Sequence, residues 1–385
     1  MNNFEFYNPV KILFGKDQIA KISEELKPYK KIMLTYGKGS IKTNGIYEQV
    51  IKALNGYDFI EFGGIEANPT YDTLIKAVHI AKQEKVDFIL AVGGGSVIDG
   101  TKFIAAAIKY KNGDPWNILS KYDKFDDAVK LGAILTLPAT GSEMNGNAVI
   151  TRLSTNEKLA FGSPLLLPQF SVLDPQTMYS LPDIQISNGI VDAFVHIIEQ
   201  YLTYPVNAAV QDGFAESLLR ILIEHGPQVL ANRTDYDANA NLMWTATMAL
   251  NGLLSTGVPT DWSTHMIGHE LTALYGIDHA QTLAIVLPGV MQVMREQKSE
   301  KLLQYANNVW GIFGDDNNEV IDVAINETEQ FFNSVGIKTK LHDYDLDDSV
   351  ITIICERLKN RNFVKLGEKK NINPEKVEEI LRLVI

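Results

Sequence analysis

The sequence predicts an α/β domain built on a parallel sheet, followed by an all-α domain. Short apolar runs alternate with helical periodicity between Val10 and Asp174, and this alternation is typical of repeated βαβ units. Beyond Tyr179 the strand pattern stops and long helical patterns follow. A chain of 385 residues, 45% hydrophobic and 21% charged, is long enough for two such domains. We therefore expect a Rossmann-like domain over residues 1–178 and a helical domain over residues 179–385.

Five runs predict the strands of the first domain: VKILFG, KIMLTYG, DFIEFGG, DFILAVGGG and LGAILTLPAT. Helical stretches such as residues 71–85 separate them. Strands that are apolar throughout and alternate with helices indicate a parallel sheet covered on both faces. Ligands of such sheets bind beyond the carboxyl ends of the strands, where the glycine-rich segments of this chain fall.

The second domain is predicted to be helical because five long apolar-periodic segments follow one another, punctuated by glycine and proline. They cover residues 184–203, 208–230, 239–256, 262–275 and 282–295. Pro175 and Pro182 bracket a polar turn, which places the boundary between the domains near Tyr179.

The segment DFILAVGGGSVIDGTKF combines a strand, a glycine triplet and a helix. Gly93, Gly94 and Gly95, with Ser96 as the expected helix cap, direct backbone N–H groups and the positive helix end toward one point, which suits a pyrophosphate. The segment matches neither G-x-G-x-x-G nor the P-loop pattern. A tight turn with no ligand is the alternative.

Two further clusters, LTLPATGSEMN and LTYGKGSIKTNG, also follow predicted strands, and together the loops favour a nucleotide. The second cluster ends the strand at which Rossmann-like folds meet the adenosine ribose. A solvated lysine in a glycine turn remains the alternative for its Lys38. The candidate cofactor-binding residues outside the triplet and Ser96 are Gly37, Lys38, Gly39, Ser40, Asp99, Thr136, Thr140, Ser142 and Lys158.

Histidines and a carboxylate recur at helical spacing in the second domain. Asp192 and His196 lie four residues apart, as do His265 and His269, so each pair projects from one helix face. His279 follows after a glycine break. A carboxylate with several imidazoles in one helical domain indicates a divalent-metal site, although the pattern leaves open which imidazoles bind. The H-E-x-x-H motif of zinc peptidases is absent.

Composition excludes other classes of function. The net charge of −12 and the lack of a basic block argue against nucleic acid as a partner. The single Cys355 cannot form an internal disulfide, which fits a reducing compartment. The N-terminal segment lacks the pattern of a signal peptide, and no apolar run is long enough to span a bilayer. We expect a cytoplasmic protein with no membrane association.

The motifs GGGSVIDGTKF, LPATGSE, GIVDAFVHIIEQY and HMIGHELTALYGIDHAQTLAIVLP together resemble the iron-containing (group III) alcohol dehydrogenases from end to end. The resemblance is strongest to the branch of butanol dehydrogenases and NADPH-dependent aldehyde reductases. It implies the fold shared with dehydroquinate synthase, with the active site in the cleft between the domains. It also implies NADP(H)-dependent, metal-dependent interconversion of aldehydes and primary alcohols, and a homodimer that pairs its N-terminal domains, for which the run from Val10 to Phe14 offers an edge.

The resemblance assigns one divalent ion to Asp192, His196, His265 and His279, and places His269 beside it without ligation. Iron, zinc, nickel and manganese all accept this donor set. His269, one helical turn from His265, is the candidate proton relay.

In NAD-using relatives an aspartate occupies the position of Lys38, so the reversed charge here predicts preference for NADP(H). The alternatives within the superfamily are a glycerol dehydrogenase and a dehydroquinate synthase-like lyase. The lyase would need several Arg and Lys side chains facing the metal. Residues 184–280 contain only two such side chains, Arg220 and Arg233. A non-catalytic nucleotide-binding protein is disfavoured because all four expected ligands are present.

Overall fold

The computed structural model describes all 385 residues. The chain forms two compact units. The first, here called the sheet unit, comprises Tyr7–Leu181 and Arg233–Thr247. The second, the helical unit, comprises Met1–Phe6, Pro182–Asn232 and Met248–Ile385. The expected functional division at residues 178 and 179 stays a prediction.

The strands are β1 (Lys11–Phe14), β2 (Lys31–Tyr36), β3 (Asp58–Phe62), β4 (Phe88–Gly93), β5 (Lys130–Leu135), β6 (Asn147–Arg152), β7 (Glu157–Gly162) and β8 (Phe170–Leu173). The helices of the first half are α1 (Ile22–Glu25), α2 (Ile46–Ala53), α3 (Tyr71–Gln83), α4 (Gly95–Lys109) and α5 (Asn117–Ser120). Those of the second half are α6 (Asp183–Tyr201), α7 (Ala209–Ala231), α8 (Tyr236–Ala249), α9 (Ser263–Tyr275), α10 (His279–Val293), α11 (Ser299–Tyr305), α12 (Asn317–Ser334), α13 (Ser349–Asn360) and α14 (Pro374–Arg382).

A six-stranded sheet in the order β1-β8-β5-β4-β2-β3 forms the centre of the sheet unit, and every neighbouring pair is parallel. The predicted parallel sheet is therefore confirmed, with β1 at one edge. All six residues of β4 are buried, which explains its unbroken apolar sequence. The rings of Phe88 in β4 and Phe170 in β8 stack with centroids 5.9 Å apart within this core.

The sequence did not reveal three strands. β8 has only four residues, and Ser171 interrupts its apolar run. The pair β6 and β7 forms an antiparallel hairpin apart from the main sheet, and buried residues are mixed with exposed ones along both strands. Neither an unbroken apolar run nor a strict alternation marks them, which is why they were missed.

The five predicted helices of the second half are present as α6 to α10, with two differences in their bounds, and α8 lies mostly in the sheet unit. Helices α11 to α14 follow beyond the predicted segments. The helix expected over 239–256 ends at Ala249, because the chain turns at Gly252, whose φ is 93°. The helix expected to begin at residue 282 begins instead at His279 and continues through Pro288. None of the helices combines the length and apolarity needed to cross a bilayer.

Candidate metal centre and nucleotide loops

The three glycine-rich loops follow adjacent strands of the sheet. β4 lies between β2 and β5, so the loops after these strands share one edge. The Thr136 N–H donates to the Gly93 carbonyl at 3.0 Å. A Cβ on Gly95 would lie 2.4 Å from Thr140 Oγ1, so only glycine lets these two loops approach this closely. The sheet therefore brings together segments far apart in sequence.

The start of α4 differs by one detail from the expectation. The helix begins at Gly95 with Gly94 in the N-cap position, and no side chain caps it. Ser96 lies in the first turn, so its assignment as the cap was wrong, because the backbone is already helical at Gly95. The free N–H groups of a 15-residue helix still point toward the loop edge.

The loop after β2 carries Lys38 and Ser40 on the surface. Gly39 between them has a φ of 110°, a backbone conformation that side chains disfavour. The Lys38 ammonium is therefore exposed on a tight turn at the same sheet edge as the glycine triplet.

Asp99 lies inside a buried polar network. Its carboxylate accepts hydrogen bonds from Ser142 Oγ at 2.6 Å and from the Val149 N–H at 2.9 Å. Lys102, which the sequence reasoning did not single out, donates from Nζ to Ser142 Oγ at 2.7 Å and to Asn145 Oδ1 at 3.1 Å. Burial lowers the pKa of Lys102 to about 8 and raises the pKa of Asp99. The i, i+3 spacing from Asp99 was the signal that could have identified Lys102.

Glu143 and Lys158 are two further buried polar side chains of the sheet unit. Glu143 is fully buried and accepts from Thr247 Oγ1 at 2.6 Å, and burial raises its pKa. Lys158, on the β7 strand of the unpredicted hairpin, is also buried and donates to Asn68 Oδ1 at 2.8 Å. The candidate cofactor-binding residues thus include both exposed and buried side chains.

The helical unit contains the histidine cluster. Asp192 and His196 project from the same face of α6, with Asp192 Oδ1 3.8 Å from His196 Nδ1. The same oxygen lies 3.9 Å from His279 Nε2. Asp192 is 4% exposed, and its Oδ1 accepts no hydrogen bond. A carboxylate oxygen that is buried without a hydrogen-bond donor carries an uncompensated desolvation cost.

His265 and His269 project from α9, and His279 is the first residue of α10. The His279 ring centroid lies 5.2 Å from that of His265 and 5.0 Å from that of His269. Gly268 lies between the two histidines of α9, where a Cβ would approach Thr282 Oγ1 to 2.9 Å. Glycine at this position therefore lets the two helices pack closely enough for their histidines to meet.

The donor set fits a divalent cation. One ligand atom from each of Asp192, His265 and His279 lies within 4.8 Å of the others. Small side-chain rotations would bring such atoms to the separation of roughly 3.4 Å found around a tetrahedral metal. His196 is not in this group of three, but its ring stacks on His265 with centroids 4.7 Å apart. A cation would also compensate the orphaned Asp192 oxygen, so the residues suit a bound metal.

The sequence reasoning missed Glu199, which contacts His265 directly. Its carboxylate accepts hydrogen bonds from the Thr264 N–H at 2.7 Å, from the His265 N–H at 3.2 Å and from His265 Nδ1. Burial, followed by the nearby Asp261 charge, raises the pKa of Glu199 to about 8. Glu199 lies seven residues after Asp192 and three after His196, so its place on the same helix face was a usable signal.

A buried ion cluster holds the segment that leads into α9. Lys298 Nζ lies 2.8 Å from Asp261 Oδ2 and 2.9 Å from Glu368 Oε2, and it also donates to the Leu202 carbonyl at 2.6 Å. Asp261 in turn accepts from the Ser263 N–H at 2.8 Å. The cluster therefore fixes the first turn of the helix that carries His265.

Comparison with known proteins defines the class. Residues 9–175 match the model of the iron-containing alcohol dehydrogenases, and residues 186–385 match that of the C-terminal region of the same family. The chain belongs to the iron-containing alcohol dehydrogenase family, as its motifs predicted.

Individual relatives refine this placement. The chain is 53% identical over 374 residues to the NADPH-dependent aldehyde reductase YqhD of Escherichia coli K12, covering 97% of each protein. It is 42% identical to a probable NADH-dependent butanol dehydrogenase of Bacillus subtilis, covering 99% of each. The crystal structure of E. coli YqhD superposes with a TM-score of 0.98 at 50% identity, covering 100% of this chain and 99% of that one.

Proposed function

We propose that this chain is a metal-dependent, NADP(H)-dependent oxidoreductase that interconverts aldehydes and primary alcohols. The observation that carries the proposal is the buried Asp192 carboxylate, whose Oδ1 accepts no hydrogen bond and faces imidazoles of the helical unit. The names of the relatives, an aldehyde reductase and butanol dehydrogenases, support the reaction class.

In this proposal residues 179–385 hold the ion through Asp192, His196, His265 and His279. A divalent ion held there supplies a Lewis acid that polarises a carbonyl oxygen, and the nicotinamide supplies the hydride. His269 holds the proton that the product alcohol requires, since it lies one helical turn from His265 with ring centroids 6.2 Å apart.

Residues 1–178 bind the cofactor in this proposal. The N–H groups at the start of α4 suit the pyrophosphate, and the small donors of the loops after β2 and β5 suit the remaining polar groups. The exposed Lys38 ammonium favours a cofactor with a 2′-phosphate. The relatives include both NADPH-dependent and NADH-dependent enzymes, so the preference is a property to be measured in this chain.

The decisive experiment measures NADPH absorbance with a panel of straight-chain and branched aldehydes, after metal analysis of protein purified without chelator. Stoichiometric loss of NADPH with an aldehyde supports the proposal. Product formation without net change in the cofactor would indicate the lyase reaction instead. Full turnover with far less than one transition-metal ion per chain would contradict the metal-dependent mechanism.

We further propose a cytoplasmic homodimer. The β1 strand occupies an edge of the sheet, where its unpaired backbone groups are available to a second copy. The one cysteine, Cys355, is buried and forms no disulfide, which suits a reducing compartment. Light scattering at micromolar concentration tests the dimer, and an active monomer would contradict it.

A further inference from the structure

We propose that Glu199 is a positioning residue that fixes the ring orientation and tautomer of His265 for metal binding. The inference rests on the proposed metal site and adds a residue that contacts no ligand or substrate itself. Glu199 is on α6 and His265 is on α9, so the contact joins the two helices that supply most of the proposed ligands.

The geometry of the contact selects one ring nitrogen. Both oxygens of Glu199 already accept main-chain N–H groups, from Thr264 and from His265, so we infer that Glu199 also accepts from His265 Nδ1, which lies against its Oε2 and therefore carries the proton. The other nitrogen, Nε2, then presents its lone pair. A carboxylate bound to the far nitrogen of a ligating histidine sets its tautomer and raises its basicity.

The same carboxylate also fixes the backbone beneath the ring. It accepts the N–H groups of Thr264 and His265 in the first turn of α9, where helix amides have no partner within the helix. Glu199 is 3% exposed, so water does not compete for these bonds. One buried side chain therefore holds both the main chain and the imidazole of a proposed ligand.

Glutamine is the informative replacement because it has the size of glutamate but only one oxygen. Its other terminal group, NH2, cannot accept a hydrogen bond. If its oxygen faces His265, its NH2 group opposes the Thr264 N–H. If it turns over, its NH2 group faces His265 Nδ1, which must then accept, and the proton moves to Nε2. Either orientation disturbs a hydrogen bond that the glutamate makes.

The test compares Co²⁺ binding by wild type, Glu199→Gln and Glu216→Gln. Glu216 is a matched control, since it is a buried glutamate of the same unit that accepts hydrogen bonds from Tyr201, Gln304 and Asn308. We expect the Kd of Glu199→Gln for Co²⁺ to rise roughly 10-fold to 100-fold. Its visible absorption bands should also change, whereas Glu216→Gln should bind as wild type does. A merely helix-capping role would lower the stability of the metal-free protein without changing the spectrum of the bound ion.

The outcomes separate the two hypotheses. Wild-type affinity and spectrum in Glu199→Gln would overturn the positioning role while leaving the proposed metal site intact. Failure of wild type to bind Co²⁺ would refute the metal site itself.

A measurement on the wild-type protein tests the inference even if the variant does not fold. In ¹⁵N-histidine NMR spectra of the Zn²⁺-loaded protein, we expect the His265 ring to be protonated at Nδ1. Protonation at Nε2, with Nδ1 facing the ion, would overturn the inference.

Discussion

Replacing Lys298 by methionine is expected to destabilise the helical unit strongly. The ammonium lies between Asp261 and Glu368, and the side chains of all three residues are at most 4% exposed. Methionine fills most of the volume but leaves two buried carboxyl groups without their cation. Breaking a buried ion pair in this way costs about 3–5 kcal/mol. For a domain of this size the melting temperature should fall by roughly 6–20 °C.

The pH dependence of this loss follows from the pKa shifts. Burial opposes the charged forms, but the two carboxylates raise the pKa of Lys298, and the contacts of Asp261 hold its pKa well below the usual range. The lysine contribution is therefore intact below its ordinary pKa of 10.5, and the aspartate contribution is intact above its ordinary pKa of 3.8. Burial raises the pKa of Glu368 above its ordinary value of 4.5, so the stability that this group contributes is present below pH 4.5 and falls as pH rises through the raised value.

In the variant, loss of the cation removes a contact that lowers both carboxyl pKa values, so the pKa of Asp261 rises relative to wild type and that of Glu368 rises further. A carboxyl group whose pKa is raised in the folded state contributes less to the free energy of unfolding as the pH rises. The stability of the variant should therefore be closer to that of wild type at pH 5 than at pH 8. Thermal unfolding followed by circular dichroism at both pH values measures this difference.

Lys301→Met is the matched control. Lys301 is also buried, and it pairs with Asp212, which is 24% exposed and can turn toward water. We expect a smaller loss for this variant. A decrease below about 3 °C for Lys298→Met at pH 8, or a larger loss at pH 5, would refute the reasoning.

Three further variants test the proposed function. His196→Ala should lose metal and activity together, because a proposed ligand is removed; elemental analysis that finds a full metal complement would contradict its role. Lys38→Asp should lower the ratio of kcat/KM for NADPH to that for NADH roughly tenfold to a hundredfold, and an unchanged ratio, or wild-type preference for NADH, would show that this loop does not read the 2′-phosphate. His269→Gln should keep its metal but reduce kcat roughly 10²-fold or more if the imidazole holds the transferred proton, and a wild-type kcat across the pH range would exclude that role.

The sequence by itself determined the features that depend on spacing within one element. The apolar runs of β2, β4 and β5 specified a parallel sheet, because a strand buried on both faces has no polar side. The four-residue spacing of Asp192 and His196 placed both on one face of α6, because a helix repeats every 3.6 residues.

Only the tertiary structure decided which elements meet. Glu199 and His265 are 66 residues apart, and nothing in the period of either helix specifies that they touch. Residues Arg233–Thr247 lie late in the chain but pack in the sheet unit, where Trp244 contacts Phe14 with ring centroids 5.9 Å apart. Periodicity fixes the direction of a side chain relative to its own helix or strand, whereas a contact between elements depends on how whole faces pack together.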